Sequence, residues 1–183
     1  MKHLSYFISI LLLVSFAACS DDDDFERVET PLNFGYFKGD LNNKPISIEN
    51  TEYDRLIHGR VYILNYIKAD GTILDEPEEH FGFSVMIFGE GEPELGVSLS
   101  PIKKGKYDIK GDYHFSDSCM ISVQSDEVKY FPIKEPVKLE ITDIRYPAPG
   151  RVPIIEGKME GVLYNLNNPQ DSIIFKNITF GAR

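Results

Sequence analysis

The chain reads as an all-β domain, an antiparallel β-sandwich of about eight to ten strands, with a lipocalin-like β-barrel as the alternative. Three observations lead there. Apolar and polar residues alternate at period two along most of the chain. Turn residues punctuate these runs at short intervals. No segment carries an apolar stripe at the helical period of about 3.6 residues. Several strands have one clean apolar face, which favours the sandwich. A barrel shows the same alternation, so sequence does not separate the two.

The elements follow in order. Phe34–Leu41 and Ile46–Glu49 read as strands joined by Leu41-Asn42-Asn43-Lys44. That is a two-residue hairpin, because asparagine tolerates positive φ. Glu52 to His58 has room for one helical turn at most. Arg60–Lys68 is apolar on both faces and suits a central strand, and Asp70-Gly71 turns the chain after it. Phe81, Phe83, Val85 and Ile87 share a face. Gly89-Glu90-Gly91-Glu92-Pro93 separates that strand from the alternating Leu95, Val97 and Leu99. Lys106–Ile109 is a further short strand. Val137, Leu139 and Ile141 alternate cleanly, and the apolar phase then slips to Ile144 and Tyr146. Such a slip predicts a bulge at Thr142-Asp143. A Pro-rich loop, Pro147-Ala148-Pro149-Gly150, precedes the last two strands, Ile154–Leu166 and Ile173–Phe180. Asn167-Asn168-Pro169 divides them. There is no internal repeat and no sign of a second domain.

The chain opens differently. Lys2 and His3 are a short basic start, and Leu4 to Ala18 is apolar apart from Ser5, Ser9 and Ser15. This length suits a signal peptide and falls short of the roughly 20 residues a spanning helix needs. Phe16-Ala17-Ala18-Cys19 resembles a bacterial lipobox, with Phe16 standing where leucine is commonest. The resemblance implies that Cys19 is lipidated and that the leader is cut before it. Each buried CH₂ contributes about 0.8 kcal/mol, so two or three acyl chains make a stable anchor. Ser20 and the run Asp21, Asp22, Asp23 and Asp24 follow at once. Four adjacent carboxylates repel one another and stay solvated. This run resembles the export signal of Bacteroidetes surface lipoproteins. It implies display on the outer face of the outer membrane, the alternative being a tether facing the periplasm. Phe25 to Asn33 reads as linker. The expected organisation is a signal peptide over 1–18, a lipidated, acidic linker over 19–33, and one β domain over 34–183.

Composition agrees with a folded, extracytoplasmic domain. Removing 18 of 183 residues leaves 165, a usual size for one domain with a real core. The hydrophobic fraction is 42% and the aromatic fraction 12%, which excludes a disordered chain. The formal charge of −10 argues against nucleic acid and against charge-driven binding to an anionic membrane. With Cys19 committed to lipid, Cys119 is the one remaining cysteine and no disulfide supports the fold. Cys119 alternates with Ile121 and Val123 and reads as a small buried hydrophobe.

The sequence marks no catalytic residue, cofactor or metal site. His58, His80 and His114 lack a second histidine at metal spacing and read as solvated loop residues. The acidic stretch Asp70 to Glu76 lacks the alternating ligands of an EF-hand loop. No nucleophile elbow or phosphate loop occurs. Tyr53, Tyr113, Tyr130 and Tyr146 fall near turns or strand ends, where they either join the core or line a sugar site, the core being preferred. Asp171-Ser172-Ile173 resembles a Bacteroidetes O-glycosylation acceptor.

The segments Phe37-Lys38-Gly39-Asp40-Leu41-Asn42, Gly105-Lys106-Tyr107, Glu156-Gly157-Lys158-Met159-Glu160-Gly161 and Ile178-Thr179-Phe180 together resemble the uncharacterised β-rich lipoproteins of Bacteroidetes. The resemblance implies a lipid-anchored β domain and carries no activity. The leading expectation is a non-enzymatic surface lipoprotein. It would be held to the membrane by the lipid on Cys19 and would bind a glycan or protein partner through loops at one end of the domain. A hydrolase acting on a surface polysaccharide is the rival, and a structural envelope or fimbrial component the third.

Overall fold

The period-two pattern folds as strands throughout. The computed structural model describes residues 33–64, 78–89, 93–111, 119–125, 127–147 and 152–183, and among them eleven strands form and no helix. They are β1 (Gly35–Leu41), β2 (Lys44–Glu49), β3 (Ile57–Leu64), β4 (Glu78–Val85), β5 (Glu94–Leu99) and β6 (Gly105–Ile109), then β7 (Cys119–Gln124), β8 (Lys129–Phe131), β9 (Val137–Arg145), β10 (Ile154–Asn165) and β11 (Ser172–Ala182). Every pairing is antiparallel. The hydrogen-bonded order is β2-β1-β11-β10-β8-β7-β5-β4-β3, and β9 and β6 branch from β10.

β10 makes the branch possible because it is twelve residues long. Ile154 to Glu160 pair with β9, and Tyr164 and Asn165 pair with β8. The far end of the path then returns to its start. The Gly59 N–H on β3 donates to the Arg183 carbonyl just past β11, at 2.8 Å. The Asn50 side chain holds Ile57 by both backbone groups, accepting from its N–H at 2.9 Å and donating to its carbonyl at 2.7 Å. A side chain at position 59 would put its Cβ 2.5 Å from the Arg183 carbonyl carbon, so only glycine admits this contact. Of the two architectures left open by the sequence, the barrel describes the result. One continuous sheet curls until it is nearly closed, and the sandwich of two separate sheets does not form.

The inward-facing residues make one core. Phe81 and Phe83 of β4, Leu95 and Leu99 of β5, Leu139 of β9, and Phe175 and Phe180 of β11 are all buried within it. Phe83 and Phe180 stack across the interior with centroids 4.8 Å apart. Burying such side chains contributes about 1.5–3 kcal/mol each. Cys119 is a free thiol, so among the described residues this core, and not a disulfide, sustains the fold.

The local expectations fare unevenly. The Asn42-Asn43 hairpin is present, with φ of 52° and 60° at the two asparagines. The bulge is present too: Ile141 pairs with Gly157 and Asp143 with Glu156, which leaves Thr142 extra. β3 is not central but ends the path, its outer edge meeting the β11 terminus. Glu52 to Leu56 forms bends and irregular backbone rather than a helical turn. Asp70-Gly71 lies outside the described residues. β8 was not foreseen, because three residues are too few to show a period.

Candidate functional site

Three strands share one short pattern, a lysine and an acid separated by an inward apolar residue. These are Lys106-Tyr107-Asp108 on β6, Lys138-Leu139-Glu140 on β9 and Lys158-Met159-Glu160 on β10. Adjacent strands run antiparallel, so each repeat is reversed against the next. Lys106 pairs with Glu140, and Glu140 pairs with Lys158. In the neighbouring row Asp108 pairs with Lys138, which pairs with Glu160. A chequered field of alternating charge results on the outer face. Opposite charges across strands contribute roughly 0.2–1 kcal/mol each, so the field also supports the sheet. The Lys138–Glu160 pair is loose, at 4.0 Å.

This face is dished. A depression of about 690 Å³ runs across β6, β9, β10 and β11 and is lined by these six charged groups with Asn177 and Thr179. Its shape follows from a bulge in β11. Lys176 and Asn177 place one extra residue against both β10 and β1, and Asn177 takes φ 52°. The bulge re-aims the strand while keeping Phe175 and Ile178 both inward. The first row continues through Thr179 to Lys38 of β1, which pairs with Thr179 in register.

Beyond Lys38 the face changes character. Phe34 and Tyr36 lie over Gly181, where an added Cβ would come within 2.5 Å of the Tyr36 ring and 2.8 Å of the Phe34 ring. The two rings meet edge to face, with centroids 5.9 Å apart. They border a second depression of about 350 Å³ together with Asn33, Lys38, Glu49 and Asn50. Along the inner edge runs a string of charges. Lys104 Nζ donates to Asp143 Oδ1 at 2.7 Å. Arg145 Nε lies 3.1 Å from Asp143 Oδ2, near enough for an ion pair though not aligned as a hydrogen bond. Arg145 also binds Glu156, and the Tyr36 hydroxyl donates to Glu156 Oε2 at 3.0 Å. Lys38 pairs with Glu49 on the other side.

The string sets the proton affinities of its members. Burial, then the hydrogen bond to Glu156 and its negative charge, push the Tyr36 phenol up to about 12, and Arg145 opposes this. The hydrogen bond from Lys104 holds Asp143 below the usual carboxylate range. Tyr36 therefore stays protonated as a donor and Asp143 stays charged as an acceptor across physiological pH. The arrangement offers fixed donors and acceptors beside aromatic faces. It is suited to hydrogen-bonding a polar ligand.

The residues singled out from sequence are placed as follows. Cys19, Ser20 and Asp21 to Asp24 lie outside the described residues, as do Tyr113, His114 and Asp70 to Glu76. His58 is exposed, but on β3 rather than in a loop. His80 is not solvated at all: it sits on β4 with 1% exposure. Among the described residues no three His, Cys, Asp or Glu side chains gather as a metal set. Cys119 packs beside the core but is only partly buried. Tyr53 and Tyr146 are exposed, at 88% and 53%, instead of joining the core. Tyr130 does pack against it, and its hydroxyl donates to Asp171 at 2.6 Å. That bond raises the Tyr130 phenol and lowers the Asp171 carboxyl. Asn165 Nδ2 reaches the same Asp171 oxygen at 3.1 Å, so the residue before Ser172 is a loop clamp. The face itself was missed, although the threefold Lys-apolar-acid pattern was a signal for it.

No curated protein matches this chain, and no solved structure does. A family model with the description "Domain of unknown function (DUF5025)" matches residues 34–183. That range spans every described residue but Asn33, at the border of the smaller depression, and the chain belongs to this DUF5025 family.

Proposed function

We propose that this chain is an outer-membrane lipoprotein, anchored through Cys19 and displayed on the cell surface, that binds a glycan or a protein partner without chemical turnover. The observation that carries the binding half is the dished outer face of β6, β9, β10 and β11, with its alternating lysines and acids. Binding pockets pair a concave surface with a few fixed polar groups, and this face has both. It differs from the loop-end site expected from sequence, since it lies on the sheet itself. The anchoring half rests on the Ala17-Ala18-Cys19 leader and the acidic run after it.

A glycan array probed with the purified chain in detergent tests the binding half, with a panel of extracellular proteins alongside. Binding to at least one class is expected. It should fall at least tenfold in the triple variant Lys106→Ala, Lys158→Ala, Thr179→Ala, with the melting transition retained. Undiminished binding by that variant, or release of shortened glycan by the wild type, contradicts the reading.

A further inference from the structure

β2 pairs with β1 and, among the described residues, with no other strand, so its far edge is open. The phase of that edge follows from one bond. The Asn50 N–H donates to the Gly35 carbonyl at 2.9 Å. Antiparallel ladders alternate bonded and unbonded pairs, so Ile48, Ile46 and Lys44 also turn their backbone groups to β1. Glu49, Ser47 and Pro45 turn theirs outward. Pro45 has no N–H, so the donors of this edge are those of Ser47 and Glu49.

Open edges invite pairing with another chain, and proline is a common guard against it. Pro45 guards this edge only in part. It takes a bond from any strand that needs its N–H, but its carbonyl still accepts.

A second copy of β2 fits these limits. Set antiparallel about a two-fold axis through Ser47, each Ser47 exchanges both backbone bonds with its counterpart. Each Glu49 N–H then reaches the Pro45 carbonyl of the second copy, and the Glu49 carbonyl stays in water. The side chains match in the same register. Ile46 faces Ile48 of the second copy on the inner side, and both are only half-buried although they pack against the core. Covering such apolar surface favours association. On the outer side Ser47 meets Ser47 and Glu49 meets Pro45, so no like charges stand opposite. Glu49 keeps its ion pair with Lys38 of its own copy. An axis through Glu49 would oppose two carboxylates, and an axis through Pro45 would leave no donor at the centre.

We infer that β2 is a homodimerisation edge, and that its occupant is the β2 strand of a second copy, paired antiparallel about Ser47. The contact is isologous and closes at two copies. The axis stands perpendicular to the sheet, so both dished faces lie on the same side. On the binding-module reading above, the pair would hold one polymer by avidity. The dimer itself does not depend on that reading.

Sedimentation of the full chain in density-matched detergent tests it, together with oxidation of introduced thiols. The wild type should sediment as a protein dimer at micromolar concentration. Ser47→Pro removes the outward donor and leaves the β1–β2 ladder its bonds. It should weaken the dimer by about tenfold or more, with the melting transition retained. Ser47→Cys in a Cys119→Ala background should form a covalent dimer on mild oxidation, since bonded pairs bring their Cα atoms to about 5.5 Å. Lys44→Cys in the same background faces Asn50 of the second copy and should not cross-link. A monomeric wild type overturns the inference. So does a dimer that Ser47→Pro leaves unchanged, or one that cross-links at position 44 and not at 47. If Ser47→Pro does not fold, cross-linking at position 47 alone decides. None of these readouts involves a ligand, so failure here leaves the binding-module reading to the glycan array and the protein panel.

Discussion

At the scale of single residues, the outer face is governed by who holds the proton. Partial burial, then the hydrogen bond to Glu156, push the Tyr36 phenol from its ordinary 10.0 up to about 12. A raised acid favours the folded state while it stays protonated. Its contribution is whole below pH about 10 and is lost as pH rises toward and through about 12. The wild type should therefore lose more stability than Tyr36→Phe across that window, as read by urea unfolding at stepped pH. At pH 7 the variant should cost on the order of 1 kcal/mol, a hydrogen bond to a half-exposed carboxylate. Equal base sensitivity in both proteins would remove Glu156 as the partner. Cys119 gives a second test. It packs beside Ile121 and Val123 but is only partly buried. Its thiol should alkylate more slowly in the native protein than in denaturant, without being fully protected. Cys119→Ser should cost about 1 kcal/mol, the low end for burying an extra polar group. The alternation of residues 119–123 showed which face the thiol takes. How much covers it depends on neighbours distant in sequence, so partial burial was not legible.

At the scale of elements, turns and phase slips were the most legible features, because each is encoded by adjacent residues. Asn42 and Asn43 adopt positive φ, and Asn42 also clasps β11, its Oδ1 accepting from the Ile174 N–H at 2.8 Å. Asn42→Gly keeps the backbone and loses that bond, which predicts a loss of about 1 kcal/mol. Asn42→Ala loses the bond and adds left-handed strain of roughly 1–2 kcal/mol. Denaturant midpoints should rank wild type, glycine, then alanine; alanine above glycine would contradict the turn assignment. The slip after Ile141 disclosed the Thr142 bulge for the same local reason. The Asn177 bulge was equally available, since the inward phase runs Ile173, Phe175, then Ile178, Phe180. What period two cannot carry is strand order. Arg60–Lys68 is apolar on both faces, which reads as a central strand, yet β3, which holds Arg60 to Leu64, closes the barrel from the end of the path. The chequered face had a local signal, Lys-apolar-acid three times over, but its meaning depends on β6, β9 and β10 being neighbours.

At the scale of the whole molecule, closure and display are the two claims to test. Closure depends on Gly59, where any Cβ meets the Arg183 backbone. Gly59→Ala should destabilise by about 1–3 kcal/mol through overpacking. The amide at position 59 should then exchange faster with solvent, while the β10–β11 amides stay tied to global unfolding. Unchanged exchange at position 59 would mean the seam is not a constraint. Display, proposed from the leader, Cys19 and Asp21 to Asp24, decides whether the dished face meets anything outside the cell. Thr179 is exposed and lines that face from β11. Thr179→Cys in a Cys119→Ala background therefore gives the most direct measurement, labelling of intact cells with a membrane-impermeant maleimide. A surface-displayed binding face predicts strong labelling at position 179, lost when Asp21 to Asp24 are changed to Ala and regained on lysis. Labelling that appears only after lysis, with the acidic run intact, would contradict it.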